Sequence, residues 1–201
     1  MTTWWHTERL AAVRAALEGV ESLVDLGCGS GDLLIPLAQE GRIARLAGLE
    51  ADADALVRAR ARLAGLPEAA QARVTLAEGS LLAPPPALCG FDAAAMVEVL
   101  EHLDPSRLSV MEEAVFGRID PRLLVLTTPN AEFNALLGVP PGRMRHPGHR
   151  FEWNRAKFRS WAKGAAARWG RGVAFHDVGG AHPELGGSSQ MAVFRRDQPS
   201  E

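Results

Sequence analysis

Two carboxylates and an imidazole lie close together near the middle of the chain, in the segment Met96-Val-Glu-Val-Leu-Glu-His-Leu103. Glu98, Glu101 and His102 follow an apolar run that predicts a buried strand, and positions i, i+3 and i+4 share a face if the chain then turns helical. Two acids and an imidazole are costly to bury unless a cation or another partner compensates them. The spacing therefore predicts a divalent-metal site at the end of a strand.

A second histidine cluster, Arg145-His-Pro-Gly-His-Arg150, follows downstream and could close the same site. The first segment also has an ordinary interpretation as the start of an amphipathic helix, with Val99, Leu100 and Leu103 facing inward and the charges facing solvent. Spacing alone does not decide between these interpretations, because a motif match is only a hypothesis. The surrounding sequence has to supply the context.

The bulk composition is that of an ordinary globular protein. The chain has 201 residues, 47% of them hydrophobic and 23% charged, which predicts one domain over residues 1–201 with a sizeable core. The net charge of −2 gives no global basic field, so any nucleic-acid binding would need a local patch. Cys28 and Cys89 are far apart, which argues against a cysteine zinc site or a disulfide framework and suits a reducing compartment. No apolar run reaches the roughly 18 residues of a membrane span, and the N-terminus lacks a signal-peptide layout, so we expect a cytoplasmic protein without a membrane partner.

Apolar runs alternate with segments of helical periodicity along most of the chain. A helix is predicted within residues 3–19, and strands are predicted at residues 22–26, 43–49, 74–77, 91–97 and 122–128, with helices between them. This alternation predicts an α/β fold, in which a mostly parallel sheet carries helices on both faces. Residues 172–178 and 190–195 are predicted to form a terminal antiparallel pair.

Polar residues and glycines collect where the predicted parallel strands end. Parallel sheets bind ligands outside the carboxyl ends of their strands. A glycine-rich turn, Glu50, Ser80, Glu98 and Asn130 all fall at such positions. This coincidence favours the functional interpretation of the acid–histidine segment over the ordinary one.

The glycine-rich turn follows the first strand directly, after Asp25. Gly27, Gly29 and Gly31 allow the backbone to approach a ligand closely. Glu50, about 20 residues further on, could accept hydrogen bonds from both hydroxyls of a ribose. A G-x-G pattern alone is weak evidence, and a purely structural turn is the alternative.

The run Val24-Asp-Leu-Gly-Cys-Gly-Ser-Gly-Asp32 resembles motif I of class I S-adenosylmethionine-dependent methyltransferases. The resemblance implies a Rossmann-like fold with a mostly parallel seven-stranded sheet, and S-adenosylhomocysteine as the product. It also implies that the turn meets the amino-acid and ribose parts of the cofactor, that Glu50 holds the ribose, and that residues after the third strand lie beside the adenine. The cofactor-binding residues implied are Asp25, Gly27, Gly29, Gly31, Glu50, Ser80 and Leu81. Ser80 departs from the family, in which many members carry an aspartate.

A narrower resemblance extends over nearly the whole chain. Glu98-Val-Leu-Glu-His102, Thr128-Pro-Asn130 and His149-Arg-Phe-Glu-Trp-Asn-Arg155 occur in this order. Together they resemble the HEN-type RNA methyltransferases, which methylate the 2′-hydroxyl of the 3′-terminal ribose of RNA. The resemblance implies an RNA end with a free 2′,3′-diol as substrate. Bacterial members also often carry a further N-terminal domain and work with an RNA end-healing kinase-phosphatase and a ligase.

The same resemblance implies a set of metal ligands. In the family, two glutamates and a histidine of the first motif and a histidine of the second bind one divalent ion, which here implies Glu98, Glu101, His102 and His149. The ion would contact the 2′- and 3′-oxygens of the terminal ribose. Mixed imidazole and carboxylate ligands favour Mn²⁺ over Mg²⁺, although Mg²⁺ stays possible. His146 is a rival ligand or a general base, with a solvated loop histidine as the alternative.

Several residues near these motifs could contact RNA. Arg143, Arg145 and Arg150 form a small basic cluster that could hold phosphates, or could equally be a solvated loop. Phe133 could stack a terminal base, although a place in the core is the stronger expectation. Asn130 could bond the ribose or cap the turn after Pro129.

These assignments divide the chain into an N-terminal helix over residues 3–19, a cofactor half over residues 20–97 and a metal and RNA-end half over residues 98–195. Two other functions remain open. One is a metal-dependent O-methyltransferase for a small diol such as a catechol, which the net charge of −2 allows. The other is a non-catalytic adaptor for RNA processing, against which the glycine turn and the full ligand set argue.

Overall fold

A computed structural model describes residues 4–196, and its centre is a single sheet with seven strands. The strands are β1 (Ser22–Leu26), β2 (Arg45–Glu50), β3 (Val74–Glu78), β4 (Ala93–Val97), β5 (Leu123–Pro129), β6 (Arg171–Val178) and β7 (Ser189–Arg196). They lie in the order β3-β2-β1-β4-β5-β7-β6. The pairs among β1 to β5 are parallel, whereas β7 pairs antiparallel with β5 and β6. The predicted α/β fold with an antiparallel terminal strand is confirmed.

Helices cover both faces of this sheet. They are α1 (Trp4–Ala16), α2 (Leu34–Glu40), α3 (Ala53–Ala64), α4 (Glu68–Gln71), α5 (Leu108–Glu112) and α6 (Arg155–Arg168). Neighbouring residues of β1 point to opposite faces: Leu23 joins a core that includes α1 and α2, and Val24 joins a core that includes α5 and α6. Burial on both faces explains why the strands are continuous apolar runs. The predicted boundary between the cofactor half and the metal and RNA-end half, at residues 97 and 98, falls at the end of β4, inside this sheet.

The helix predicted between the strands at residues 91–97 and 122–128 is instead made of three pieces. A 3₁₀ turn (Pro105–Arg107) leads into α5, and a π-helical segment (Glu113–Ile119) ends at Asp120, which has φ 51°. Glu112, inside this region, is buried and accepts hydrogen bonds from the Arg168 guanidinium and from two tryptophan indoles. The spacing of the apolar residues predicts neither the wider turns of the π-helical segment nor the buried carboxylate of Glu112.

The chain after β5 has little regular structure until α6. Residues 131–137 form 3₁₀ turns that the Asn130 side chain caps at Glu132 N, and an isolated parallel bridge pairs Asn130 with Trp153. The loop over residues 138–154 is therefore fixed against the carboxyl end of β5. Within the described residues, no helix is long and apolar enough to cross a membrane.

Candidate functional site

The glycine-rich turn after β1 adopts a backbone that suits glycine. Gly27, Gly29 and Gly31 have φ values of 84°, 53° and 83°, in the left-handed region where other L-residues are strained. At Gly27 space is also limiting, because a Cβ atom there would lie 2.6 Å from Cγ2 of Val99. The turn thus lies directly against the segment that follows β4.

Glu50 ends β2 and is held by backbone N–H groups. Its Oε2 accepts a hydrogen bond from Gly29 N (2.7 Å), and its Oε1 accepts from Ala51 N (2.8 Å) and Asp52 N (2.9 Å). A cleft of about 450 Å³ opens beside it. The predicted cofactor residues that line this cleft are Gly27, Gly29, Glu50, Ser80 and Leu81.

Asp25 lies beneath the turn and is only 3% exposed. Within residues 4–196, its Oδ1 is buried without a hydrogen-bond partner. Burial, followed by the charges of Glu50 and Asp32, raises the pKa of Asp25 to about 7. A cationic group bound at the turn would offset that cost, so this carboxyl fits a ligand that carries an ammonium or a sulfonium.

Glu98 begins the acceptor side of the site with a strained backbone. It is not part of a helix but follows β4 with φ 56°, a conformation that costs about 1–3 kcal/mol in a non-glycine residue. Its Oε1 accepts from Thr127 Oγ1 (3.0 Å), and its Oε2 accepts from Ser189 Oγ (3.4 Å). Arg9 of α1 completes the arrangement, with its Nε 3.3 Å from Glu98 Oε1. Three separate segments thus fix this carboxylate.

Glu101 lies in a short 3₁₀ turn (Leu100–His102) and is fully buried. Its Oε2 accepts from Thr128 Oγ1 (2.9 Å). Its Oε1 has no hydrogen-bond partner in the described part of the chain and lies 4.0 Å from His149 Nε2, too far for a hydrogen bond. Burial, followed by the charge of Glu98, raises the pKa of Glu101 well above its usual value. An unpaired buried carboxylate of this kind fits a cation.

His149 is oriented by a carboxylate on its far side. Its Nδ1 lies 2.5 Å from Glu152 Oε1, which also accepts from Arg145 N (2.7 Å). Burial alone would raise the pKa of Glu152, but hydrogen bonds from Asn134, His149 and Arg145 lower it below its usual value. Because an ionised carboxylate only accepts hydrogen bonds, His149 places its proton on Nδ1 and leaves Nε2 facing Glu101.

Three imidazoles lie close together, and one of them, His149, is the ring that faces Glu101. One ring nitrogen from each of His102, His146 and His149 lies within 4.8 Å of the other two. His102 Nδ1 is 3.1 Å from Gly148 O, and His146 Nδ1 accepts from Gly148 N (3.0 Å). Partial burial of the ring, followed by the electrostatic influence of His149, lowers the pKa of His102. Uncharged imidazoles and carboxylates together are the usual ligands of divalent transition metals.

The two parts of the site share one cleft. The cleft that the glycine turn and Glu50 line is also lined by Glu98, Val99 and His102. A ligand on the turn would therefore lie next to the acid and imidazole side chains. This arrangement suits transfer of a group from a bound cofactor to an acceptor held near the cluster.

Three of the residues predicted to contact RNA are used inside the protein. Asn130 is fully buried and donates to Leu185 O (2.8 Å) and Gly187 O (3.0 Å), and Phe133 is buried against Trp5. The structural alternative is favoured for both residues.

Arg145 also makes internal bonds. Its guanidinium donates to Asn134 Oδ1, Ser188 O and Asn130 O, and burial lowers its pKa. These bonds tie the loop to the segments around β5 and β7, so we assign Arg145 no RNA contact. Arg143 and Arg150 are exposed, and their predicted RNA contacts stay predictions.

Sequence reasoning assigned no role to Arg9, Glu152 or Ser189. Arg9 and Ser189 are 89 and 91 residues away from Glu98, and no local pattern connects them. Glu152 lies three residues after His149, a spacing that could have suggested a carboxylate partner for the ring. The two distant residues become visible only in the folded sheet.

Comparison with known proteins first gives the class. A family model described as a methyltransferase domain matches residues 24–118. Together with the sheet order and the cleft at the strand ends, this match identifies a methyltransferase domain.

The relatives then give the family. The crystal structure of the methyltransferase domain of bacterial CtHen1 is 35% identical, with a TM-score of 0.87, and the match covers 96% of this chain and 100% of that chain. The chain belongs to this family of Hen1 methyltransferase domains. The small RNA 2′-O-methyltransferase of Gallus gallus is 38% identical over 189 residues, which cover 89% of this chain and 50% of the relative. The chain thus spans about half the length of the curated relatives that it matches.

One chain in a structure of the Pnkp1/Rnl/Hen1 RNA repair complex contains the same fold. That chain is 15% identical in sequence, with a TM-score of 0.73, and the match covers 98% of this chain and 42% of that chain.

Proposed function

We propose that this chain transfers a methyl group from S-adenosylmethionine to the 2′-hydroxyl of the 3′-terminal ribose of RNA. One observation carries the proposal: Glu98, Val99 and His102 line the same cleft as Gly27, Gly29 and Glu50. The methyl donor and the acceptor hydroxyl would then lie next to each other, which removes much of the entropic cost of their reaction. Similarity to relatives named small RNA 2′-O-methyltransferases supports the choice of acceptor.

The cofactor would lie across the carboxyl ends of β1, β2 and β3. Glu50, held by the turn's own backbone, is placed to accept hydrogen bonds from the ribose hydroxyls of the cofactor. Ser80 and Leu81 would lie beside the adenine. Asp25 lies behind the glycine turn and would favour the positive charge of the methionine part. S-adenosylhomocysteine, which lacks the sulfonium charge, would leave as the product.

Glu98, Glu101, His102 and His149 fit a divalent cation, because they combine an unpaired carboxylate oxygen with imidazole nitrogens. Mn²⁺ suits this mixed set better than Mg²⁺. When bound, the ion supplies a Lewis acid that makes a ribose hydroxyl easier to deprotonate. The role of the chain is to hold the ligands: Thr127 and Ser189 fix Glu98, Thr128 fixes Glu101, and Glu152 fixes His149.

The substrate we propose is an RNA end with a free 2′,3′-diol, with Arg143 and Arg150 placed to meet its last phosphates. We also propose cooperation with an RNA end-healing kinase-phosphatase and a ligase, to which the shared fold in the RNA repair complex lends support. A cytoplasmic location is proposed as well, since both cysteines are free thiols.

A set of oligoribonucleotides that differ only at the 3′ end tests this function. With Mn²⁺ and radiolabelled S-adenosylmethionine, the free-diol RNA should accept label and become resistant to periodate. RNA with a 3′-phosphate and RNA with a 2′-deoxy end should not accept label, because they lack the pair of hydroxyls. Equal labelling of all three RNAs would refute the proposal. Labelling of a catechol in preference to RNA would favour the small-diol alternative.

A further inference from the structure

The basic residues of the chain are unevenly distributed. Residues 133–176 hold nine of its 22 lysines and arginines but only one, Glu152, of its 24 aspartates and glutamates. With histidines neutral, this stretch has a formal charge of +8, and the remaining 13 basic and 23 acidic residues carry −10. The local basic patch that nucleic-acid binding would require therefore exists, although the net charge of the chain is −2.

Helix α6 lies at the centre of this stretch and contains no acidic residue. At its two ends the arginines are neutralised from outside the helix, Arg155 by Glu132 and Arg168 by Glu112. Between them lie three cations, here called the α6 cations, that are exposed and belong to none of the ion pairs found within residues 4–196: Lys157, Arg159 and Lys163. These three charges are the part of the helix that remains open to an anionic ligand.

The charges of α6 oppose the stability of the helix itself. Lys157 lies in the first turn, where the helix dipole disfavours a cation, and Arg159 and Lys163 are like charges at the spacing i, i+4. Helix α3 also carries three arginines, but it has Asp54 in its first turn and Arg62 in its last turn, as the helix dipole favours. A bound polyanion would offset the repulsion in α6, which is the pattern expected of a binding surface.

Two of the α6 cations are held by aromatic rings. Lys157 Nζ lies 5.3 Å from the ring centroid of Trp153, and Arg159 Cζ lies 5.7 Å from the ring centroid of Phe175. Contacts of this kind limit the freedom of a long side chain, so less entropy is lost when the side chain binds a ligand.

Helix α6 leads away from the candidate site. Trp153, just before the helix, pairs with Asn130 at the carboxyl end of β5, and β6 begins just after the helix at the amino end of β5. The 14 residues of α6 span about 21 Å. An RNA whose 3′ end lies at His149 could therefore place its preceding phosphates along this helix.

We propose that the exposed face of α6 binds the phosphate backbone of the RNA upstream of its 3′ end, through Lys157, Arg159 and Lys163. Exposed Arg150, whose backbone N donates to Glu101 O (2.7 Å), carries the basic surface up to the site. Contacts to phosphates position the RNA but read no sequence, so this binding should be independent of base sequence and should weaken with salt. The choice of RNA as the ligand rests on the proposed function, whereas binding of a polyanion to α6 does not.

RNA binding to the full chain tests this surface without requiring methyl transfer. The affinity for a 5′-fluorescein-labelled single-stranded RNA of about 20 nucleotides is measured by fluorescence anisotropy at several salt concentrations. The test variant replaces the α6 cations: Lys157→Gln, Arg159→Gln and Lys163→Gln. The matched control removes three exposed arginines from the segments on either side of β3's neighbour β2, near the opposite end of the sheet from β6: Arg42→Gln, Arg58→Gln and Arg60→Gln.

The test variant should lose at least about tenfold in affinity at low salt. Its slope of log K against log salt concentration should also fall by about 2, since each phosphate contact on a single strand contributes about 0.7. The control should keep the wild-type slope and lose less than about twofold in affinity. If the triple variant folds poorly, Lys157→Gln with Lys163→Gln leaves Arg159 on Phe175 and should lower the slope by about 1.4.

Equal RNA affinities of the test and control variants would overturn the proposal and would favour an acidic protein surface as the occupant of α6. In the methyl-transfer assay, the test variant should raise KM for the long RNA and leave kcat unchanged. A dinucleotide with a free diol is too short to extend along α6, so its kcat/KM should not change, and an equal loss with the dinucleotide would also overturn the proposal. If RNA binds but accepts no methyl group under any condition, the proposed function fails, and the binding result still decides the role of α6.

Discussion

The two sides of the cleft are built differently. The cofactor side is made mainly of backbone: glycines with positive φ, and N–H groups of Gly29, Ala51 and Asp52 that hold Glu50. The acceptor side is made of side chains from distant segments, among them Arg9, Glu98 and Ser189. Among the described residues, each side keeps a buried carboxylate oxygen without a hydrogen-bond partner, on Asp25 beside the glycine turn and on Glu101 in the acceptor side.

This difference predicts which changes affect which step. The cofactor side is made mainly of backbone and depends on a few residues close in sequence. Replacing one of these residues should affect cofactor binding alone. A side built from buried ionisable groups depends on every partner, because removing one leaves the others unpaired. The variants below test whether the two sides are in fact separable.

The largest effect should follow the replacement of Glu101. Glu101→Gln keeps the shape but removes the buried charge, so methyl transfer should fall about a hundredfold or more. Binding of S-adenosylhomocysteine, measured by calorimetry, should change less than about twofold, because the two sides are independent in this view. The exposed Glu68→Gln is the control. Near-normal turnover by Glu101→Gln would remove Glu101 from the metal ligands.

A smaller effect on the same side should follow Glu152→Gln. The neutral amide no longer fixes the proton of His149 on Nδ1, and such partners are worth about 10–100-fold in metal affinity. The metal-free variant should also show a mixture of His149 tautomers in ¹⁵N–¹H correlation spectra, whereas the wild type shows one. An unchanged tautomer together with unchanged Mn²⁺ affinity would mean that Glu152 only fills space.

On the cofactor side, Glu50→Gln should weaken S-adenosylhomocysteine binding by about tenfold, since hydrogen bonds to an ionised group contribute about 1.5–3 kcal/mol. The variant should bind Mn²⁺ like the wild type. If Mn²⁺ affinity fell as well, the two sides would be coupled through the cleft.

The smallest effect concerns stability at the contact between the sides. Gly27→Ala places a methyl group at φ 84° and 2.6 Å from Val99 Cγ2, which should cost about 1–2 kcal/mol in the free energy of unfolding. Adding Val99→Ala should recover the part of the loss that is due to the clash, and the part due to backbone strain should remain. Denaturant unfolding of the single and double variants measures both parts of the loss in unfolding free energy. If the losses of the two single variants simply add in the double variant, the contact between residues 27 and 99 is unimportant.

The strands and the glycine turn could be predicted from sequence because their signals are local. The predicted range 22–26 is that of β1, and the range predicted for β5 differs by one residue at each end. The shape of the acceptor side could not be predicted in this way. Its partners meet across β4, β5 and β7, and the turn at Glu98 is a strained conformation that propensities disfavour. The internal bonding of Arg145 was missed for the same reason, since a basic loop has the same sequence whether its charges face water or carbonyl groups.

The position of β7 has a consequence for synthesis on the ribosome. This strand comes last among the described elements, yet it lies inside the sheet between β5 and β6 and carries Ser189 to Glu98. A nascent chain that ends before residue 189 would hold the glycine turn and every proposed metal ligand but would lack the strand that joins β6 to the rest. Long-range pairings of this kind form late, so we expect the enzyme to mature only after residues 189–196 have left the exit tunnel.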